Sequence, residues 1–226
     1  MSRRGDVMES MTEILEYCEK KNIEYSAIIL HGSRAVGFSN EESDYDFLII
    51  SEDTSLTMDT FITADKKKMQ VEFLTREALE KILDGYEAAL FKSIFDLNQM
   101  AGRILQGRIL VDRDHVSECI RARKQFVHKK ELIKRFLYTA MNYHTDYVAG
   151  DETLKSYARQ AIAYCIGTAL LISKGYYWLN LKWQHRFLQE VMDQEAYEKY
   201  LRIRMGQKEY AGMMDDVKAL IALIDG

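Results

Sequence analysis

Two short apolar runs, Ser26-Ala-Ile-Ile-Leu-His31 and Asp46-Phe-Leu-Ile-Ile-Ser51, flank a polar stretch that opens on Gly32-Ser33-Arg34-Ala35 and closes on Ser43-Asp44-Tyr45-Asp46. No other feature constrains the chain as much. Each run reads as a buried strand, the first ended by Gly32 and the second entered at Asp44. Residues two apart on a strand project from one face, so the Asp44 and Asp46 carboxylates converge while Tyr45 and Phe47 point the other way. Two adjacent carboxylates repel each other unless they share a proton or hold a cation. Hard oxygen donors at a strand edge suit Mg²⁺, which keeps part of its water shell and takes phosphate oxygens from a substrate. Gly32 lets the backbone approach a phosphate, and the Ser33 hydroxyl with neighbouring amides can donate to it.

Around this stretch the pattern is mixed and then purely helical. Residues 6–21 place Met8, Met11, Leu15 and Cys18 at helical spacing. Met69–Leu74 alternates with period two and Gly107–Asp112 reads as the last strand, while 57–63 fits either a strand or an irregular connection. Thr75 is placed to cap a helix. Beyond Asp114 the helical pattern runs over 114–149 to Gly150, over 152–174 to Gly175, and then over 184–203 and 207–224. The chain has no Pro, where average usage gives roughly 11 in this length, so Gly and Asx residues supply the helix ends. The expected class is α+β: an N-terminal α/β domain with a short mixed sheet over 1–113, then a helical bundle domain over 114–226.

Several chemistries are excluded by inspection. Gly32 and Gly37 have P-loop spacing, but Phe38-Ser39 stands where Lys-Ser/Thr is required. GxGxxG, GxSxG and HExxH are absent. Cys18, Cys119 and Cys165 lie far apart without CxxC spacing, which fits reduced thiols rather than a zinc site. With no apolar leader after the first residues and no run of about 20 apolar residues, a cytoplasmic protein without a membrane span is expected. Net charge is −4, which argues against long nucleic acid as partner. The halves differ: 1–113 carry 14 Lys and Arg against 21 Asp and Glu, and 114–226 carry 17 against 14. An acidic half that holds metal could therefore face a mildly basic half that meets a polyanion.

Gly32-Ser33-Arg34-Ala35 with Ser43-Asp44-Tyr45-Asp46-Phe47 resembles the hallmark of the polymerase-β-type nucleotidyltransferase superfamily, and among its small two-domain members the kanamycin, streptomycin and lincosamide adenylyltransferases. The resemblance implies a third carboxylate on a later strand, where Glu72 stands in place of the commoner Asp, and Val36 stands where many members have a second Arg. Leu179-Asn180-Leu181-Lys182-Trp183 is similar to a segment of the helical domain in some of these enzymes.

The resemblance implies transfer of a nucleoside monophosphate, AMP from ATP, to a hydroxyl of a small molecule such as an antibiotic, with release of pyrophosphate. Two Mg²⁺ ions would be held by Asp44, Asp46 and Glu72, and Glu72, or else Asp146 or Glu152, would be the base. Nucleotide contacts are expected from Gly32, Ser33, Arg34 and Ser43, and from Arg159 and Lys182 in the helical half. Lys155 lies one turn from Arg159, whereas Lys66-Lys67-Lys68 reads as a solvated loop. The tyrosines crowded into the helical half offer a wall for a ring-shaped ligand. By analogy a homodimer is expected. Two alternatives stand beside this reading: AMP transfer to a protein side chain, and a non-catalytic, antitoxin-like or regulatory module of the same fold.

Overall fold

Five strands form one mixed sheet in the order β3–β4–β2–β1–β5. They are β1 Ala27–His31, β2 Tyr45–Ile50, β3 Asp59–Ile62, β4 Lys68–Leu74 and β5 Arg108–Asp112. β2 and β4 run parallel, and every other neighbouring pair is antiparallel. This computed structural model describes residues 3–56, 58–84, 94–123, 129–177 and 181–225, with side chains described for 10–56, 58–84, 99–123, 129–177 and 183–224.

Strand alternation decides what each face does. Leu30, Phe47 and Val71 are in register, as are Ile28 with Ile49 and Tyr45 with Met69. These residues form one buried cluster with Ile14, Tyr17 and Cys18 of the first helix, α1 (Arg3–Lys20). The Tyr17 ring stacks on Phe61 of β3 at 4.7 Å and donates its hydroxyl to Asp59. The opposite face carries the register pairs His31 with Asp46, Asp46 with Gln70, and Leu48 with Glu72. Within β2, Asp46 alone is not fully buried. One face is thus a core and the other a core with a polar end, the half-buried logic of a strand pair read residue by residue.

The connections follow local signals. The stretch after β1 is not wholly an irregular turn, since Gly32–Val36 forms a short helix, α2, stopped by Gly37 at φ 82°. The stretch at 57–63 resolves as β3. Thr75 caps α3 (Arg76–Leu83) by accepting from the Ala78 amide. α4 (Ile94–Leu105) leads into β5 through Gly107, where a Cβ would lie 2.4 Å from both the Arg103 carbonyl and the Ile29 side chain. Only glycine lets the end of α4 sit this close to β1. The chain divides into two compact units: Met1–Leu90 with Met100–Phe126, and Phe91–Gln99 with Val127–Gly226. α5 (Val116–Ala122) belongs to the first.

The second unit contains α6 (Lys129–Ala149), α7 (Glu152–Ser173), α8 (Leu181–Val191), α9 (Gln194–Met205) and α10 (Tyr210–Asp225). α7 is its core, with Ile162, Ala163, Ile166, Ala169 and Leu170 buried. The expected single helix over 184–203 is two helices, because the Asp193 carboxylate accepts from the Ala196 amide and starts α9 afresh. Likewise the pattern over 114–149 is divided between α5 and α6, and residues 124–128 lie outside those described. The buried Gln184 is fully engaged. Its amide donates to Tyr164 O and Thr168 Oγ1, and its carbonyl accepts from Tyr200. No described helix is long and apolar enough to cross a membrane.

Candidate active site

Gly32 is the pivot of the site. It takes φ +70°, a conformation that side chains resist, and an added Cβ would stand 2.1 Å from Asp46 Oδ2. The Asp46 carboxylate therefore rests directly against the Gly32 backbone, across from His31 in the strand register. Asp44 lies just before β2. The Lys68 ammonium donates to its Oδ2 at 2.8 Å, and this contact holds the Lys68 pKa above its ordinary value.

The loop that delivers Asp44 is braced from within. Arg34 donates from Nε and Nη2 to the Ser43 carbonyl, at 3.0 and 2.6 Å, and its guanidinium lies 3.8 Å from the centre of the Tyr45 ring. The Ser43 hydroxyl donates to Asn40 Oδ1 and accepts from the Asn40 amide. Arg34 and Ser43, both expected at the nucleotide, also brace the turn through these bonds. Ser33 is buried beside Gly32, and its carbonyl accepts from the Phe38 amide.

Glu72 reaches the same face of the sheet as Asp46 but in a different electrostatic state. Its Oε2 accepts from Arg103 Nη1 of α4 in a close ion pair, and its Oε1 accepts from Gln70 Nε2 at 3.2 Å. Both side chains are largely buried, 18% exposed for Arg103 and 12% for Glu72, against 52% and 35% for Lys68 and Asp44. The two ion pairs differ in what it takes to open them. An exposed pair is easily exchanged, whereas removing one partner of a buried pair costs about 3–5 kcal/mol, because the other charge stays behind unpaired.

His31 completes this face. Its Nε2 is buried without a partner, and burial together with the Arg103 charge lowers its pKa to about 3. The ring is therefore neutral at ordinary pH, which leaves Arg103 without a second positive neighbour.

The donor set tests the expected metal in two parts. Asp44 and Asp46 fit a divalent cation: they are hard oxygen donors, one easily freed from Lys68 and one set in a glycine cradle. Glu72 does not fit in the same way, since both of its oxygens are already bonded. Among the described residues no group of three or more His, Cys, Asp or Glu is assembled to hold a metal ion.

The remaining expected contacts belong to the second unit. The Arg159 guanidinium packs on Gly206, where a Cβ would come within 2.3 Å of its Cζ; its Nε is buried without a partner. Lys155 pairs with Glu152 at 3.0 Å. The Lys182 side chain lies outside the described residues. An aromatic group gathers nearby on α6, α7 and α10. Tyr143 meets Tyr157 edge-on at 5.9 Å, Tyr147 stacks on Tyr210 at 5.9 Å, and His144 Nε2 lies 2.6 Å from the Tyr210 hydroxyl.

Two functional neighbours escaped sequence reasoning. Lys68 is placed by the strand register: Tyr45 pairs with Met69 in the parallel β2–β4 ladder, so one step back sets Lys68 beside Asp44. Arg103 carries no local signal, being one cation on a helix 31 residues from Glu72.

The profile of the family described as Polymerase beta, Nucleotidyltransferase matches residues 12–115. A solved nucleotidyltransferase-like protein from Exiguobacterium sibiricum 255-15 is 12% identical, with a TM-score of 0.48 over 96% of this chain and 74% of that one. No curated protein matches the sequence. The profile match spans all five strands together with Gly32, Asp44, Asp46 and Glu72, and so supports a polymerase β-type nucleotidyltransferase domain over residues 12–115.

Proposed function

We propose that the protein transfers a nucleoside monophosphate, AMP from ATP, to a hydroxyl group of a small-molecule acceptor, with release of pyrophosphate. The observation that carries this reading is Asp46 set against the Gly32 backbone with Asp44 two residues before it, within the segment that matches the family. Asp44 and Asp46 would hold Mg²⁺, which when bound neutralises the charge on a triphosphate. The chain's own part is positioning. Arg34, Asn40 and Ser43 fix the loop that presents Asp44, Gly32 leaves room for Asp46, and Lys68 balances Asp44 when no cation is present. In-line transfer needs little more than such positioning and charge balance.

The second unit supports a ring-bearing acceptor, an antibiotic among the candidates. Tyr147, Val148, Glu152, Lys155, Glu209 and Tyr210 line an open cavity of about 700 Å³, walled by stacked aromatic rings. A second reading, a non-catalytic module of the same fold, draws on one observation: Glu72 is bonded to Arg103 and Gln70.

ATP labelled at the α-phosphate, offered with Mg²⁺ and a panel of aminoglycosides, lincosamides and other polyols, tests the reading. Label should pass to a small molecule, and Asp44→Asn should reduce transfer by more than about 100-fold, the upper range for loss of a mere outer-shell metal partner. Label on a protein band would instead indicate a protein acceptor. Absence of transfer to any acceptor would favour the non-catalytic module, and full transfer by the Asp44→Asn, Asp46→Asn double variant would refute the site.

A further inference from the structure

We propose that this site takes a single divalent cation, at Asp44 and Asp46, and that the Arg103 guanidinium stands permanently at Glu72 in place of a second. The inference rests on the nucleotidyl-transfer reading above and deepens it.

Three independent features support it. First, both Glu72 oxygens are bonded, Oε2 to Arg103 and Oε1 to Gln70, so a metal ion would have to displace two donors at once. Second, among the described residues Glu72 is the one acid paired with Arg103. An ion that took Glu72 would strand a largely buried guanidinium beside its own double positive charge, and both effects oppose binding. Third, the backbone at Arg103 is closely packed: a Cβ on Gly107, just past α4, would lie 2.4 Å from both the Arg103 carbonyl and the Ile29 side chain of β1. Lys68 differs on every count: it is half exposed, makes one bond to one Asp44 oxygen, and extends from a strand end into solvent, so an arriving cation exchanges with it readily.

Glu72 is then neither metal ligand nor base. It anchors Arg103, and Arg103 is a positioning residue whose fixed charge sits on the face where the reaction would run.

Counting bound Mn²⁺ by electron paramagnetic resonance tests the proposal without reference to activity. With a non-hydrolysable ATP analogue present, the intact protein should bind one Mn²⁺ per chain. Arg103→Ala should free Glu72 and raise the count to two, while Arg103→Lys should keep it at one. Should Arg103→Ala fail to fold, Glu72→Gln decides: the count should stay at one, with an affinity change well under the roughly 10- to 100-fold that loss of an outer-shell partner brings. Two Mn²⁺ in the intact protein, or loss of one in Glu72→Gln, would overturn the inference and leave nucleotidyl transfer standing. No Mn²⁺ bound at all would overturn both.

Discussion

At the scale of single residues, the site depends on one atom's absence. Gly32 has no Cβ, and that space is filled by the Asp46 carboxylate. Gly32→Ala should therefore act twice, through backbone strain at positive φ, worth about 1–3 kcal/mol, and through displacement of Asp46. Urea unfolding should show the stability loss, and Mn²⁺ titration of the folded fraction should show weakened binding. Unchanged values for both would mean that the close approach at Gly32 is not maintained in solution. The same scale separates what the local sequence announces from what it hides. Asp44, Asp46 and Gly32 form a pattern along the chain because two strands and a turn bring them together within 15 residues. Arg34 and Ser43 belong to the same pattern, but their bond to each other, guanidinium to Ser43 carbonyl, is a contact the pattern does not announce.

At the scale of elements, charged side chains connect helices that apolar periodicity alone would leave free to slide. Asp216 of α10 accepts from Arg202 of α9 through both oxygens and from Lys208, and its side chain is 4% exposed. These cations hold its carboxyl below the usual carboxylate range in the folded protein. A carboxylate depressed on folding stabilises the native state fully above the unfolded-state value, near 3.9, and that contribution fades as pH falls through the folded value. Urea midpoints should accordingly drop on acidification below about pH 5. Asp216→Asn should flatten that part of the curve and lower stability near neutral pH by roughly 1.5–3 kcal/mol, the range for bonds to a charged group. An unaltered acid slope in Asp216→Asn would show that the link carries no stability. Asp193 shows the same scale at work on boundaries. Its capping bond to Ala196 divides one helical pattern into α8 and α9, a signal present in the sequence but masked by apolar spacing that continues across it.

At the scale of the whole molecule, Cys18, Cys119 and Cys165 are all buried and free. Burial pushes the Cys18 thiol up to about 11 and the Cys165 thiol up to about 12, and raises Cys119 as well. Since the thiolate is the reactive form, the native protein should react slowly with a thiol reagent near pH 8. All three thiols should become reactive along the same denaturant transition that circular dichroism follows. Rapid labelling of any one under native conditions would show that its segment opens on its own. The acidic balance of residues 1–113 has a structural counterpart in Asp46 and Glu72, which share one sheet face without being gathered into one cluster.

By itself the sequence determined four of the five strands, the glycine that ends the first of them and the two-residue spacing of Asp44 and Asp46. Those depend on spacing along a few residues, where two-residue alternation and φ preference are local physics. Tertiary structure alone decided the fate of Glu72. Its partner comes from a helix whose approach is permitted by Gly107, and a contact between residues 31 apart depends on how a helix packs on a sheet, which no local pattern encodes. The same holds for Lys68, placed by the parallel register of β2 and β4 rather than by any property of the lysine run it belongs to.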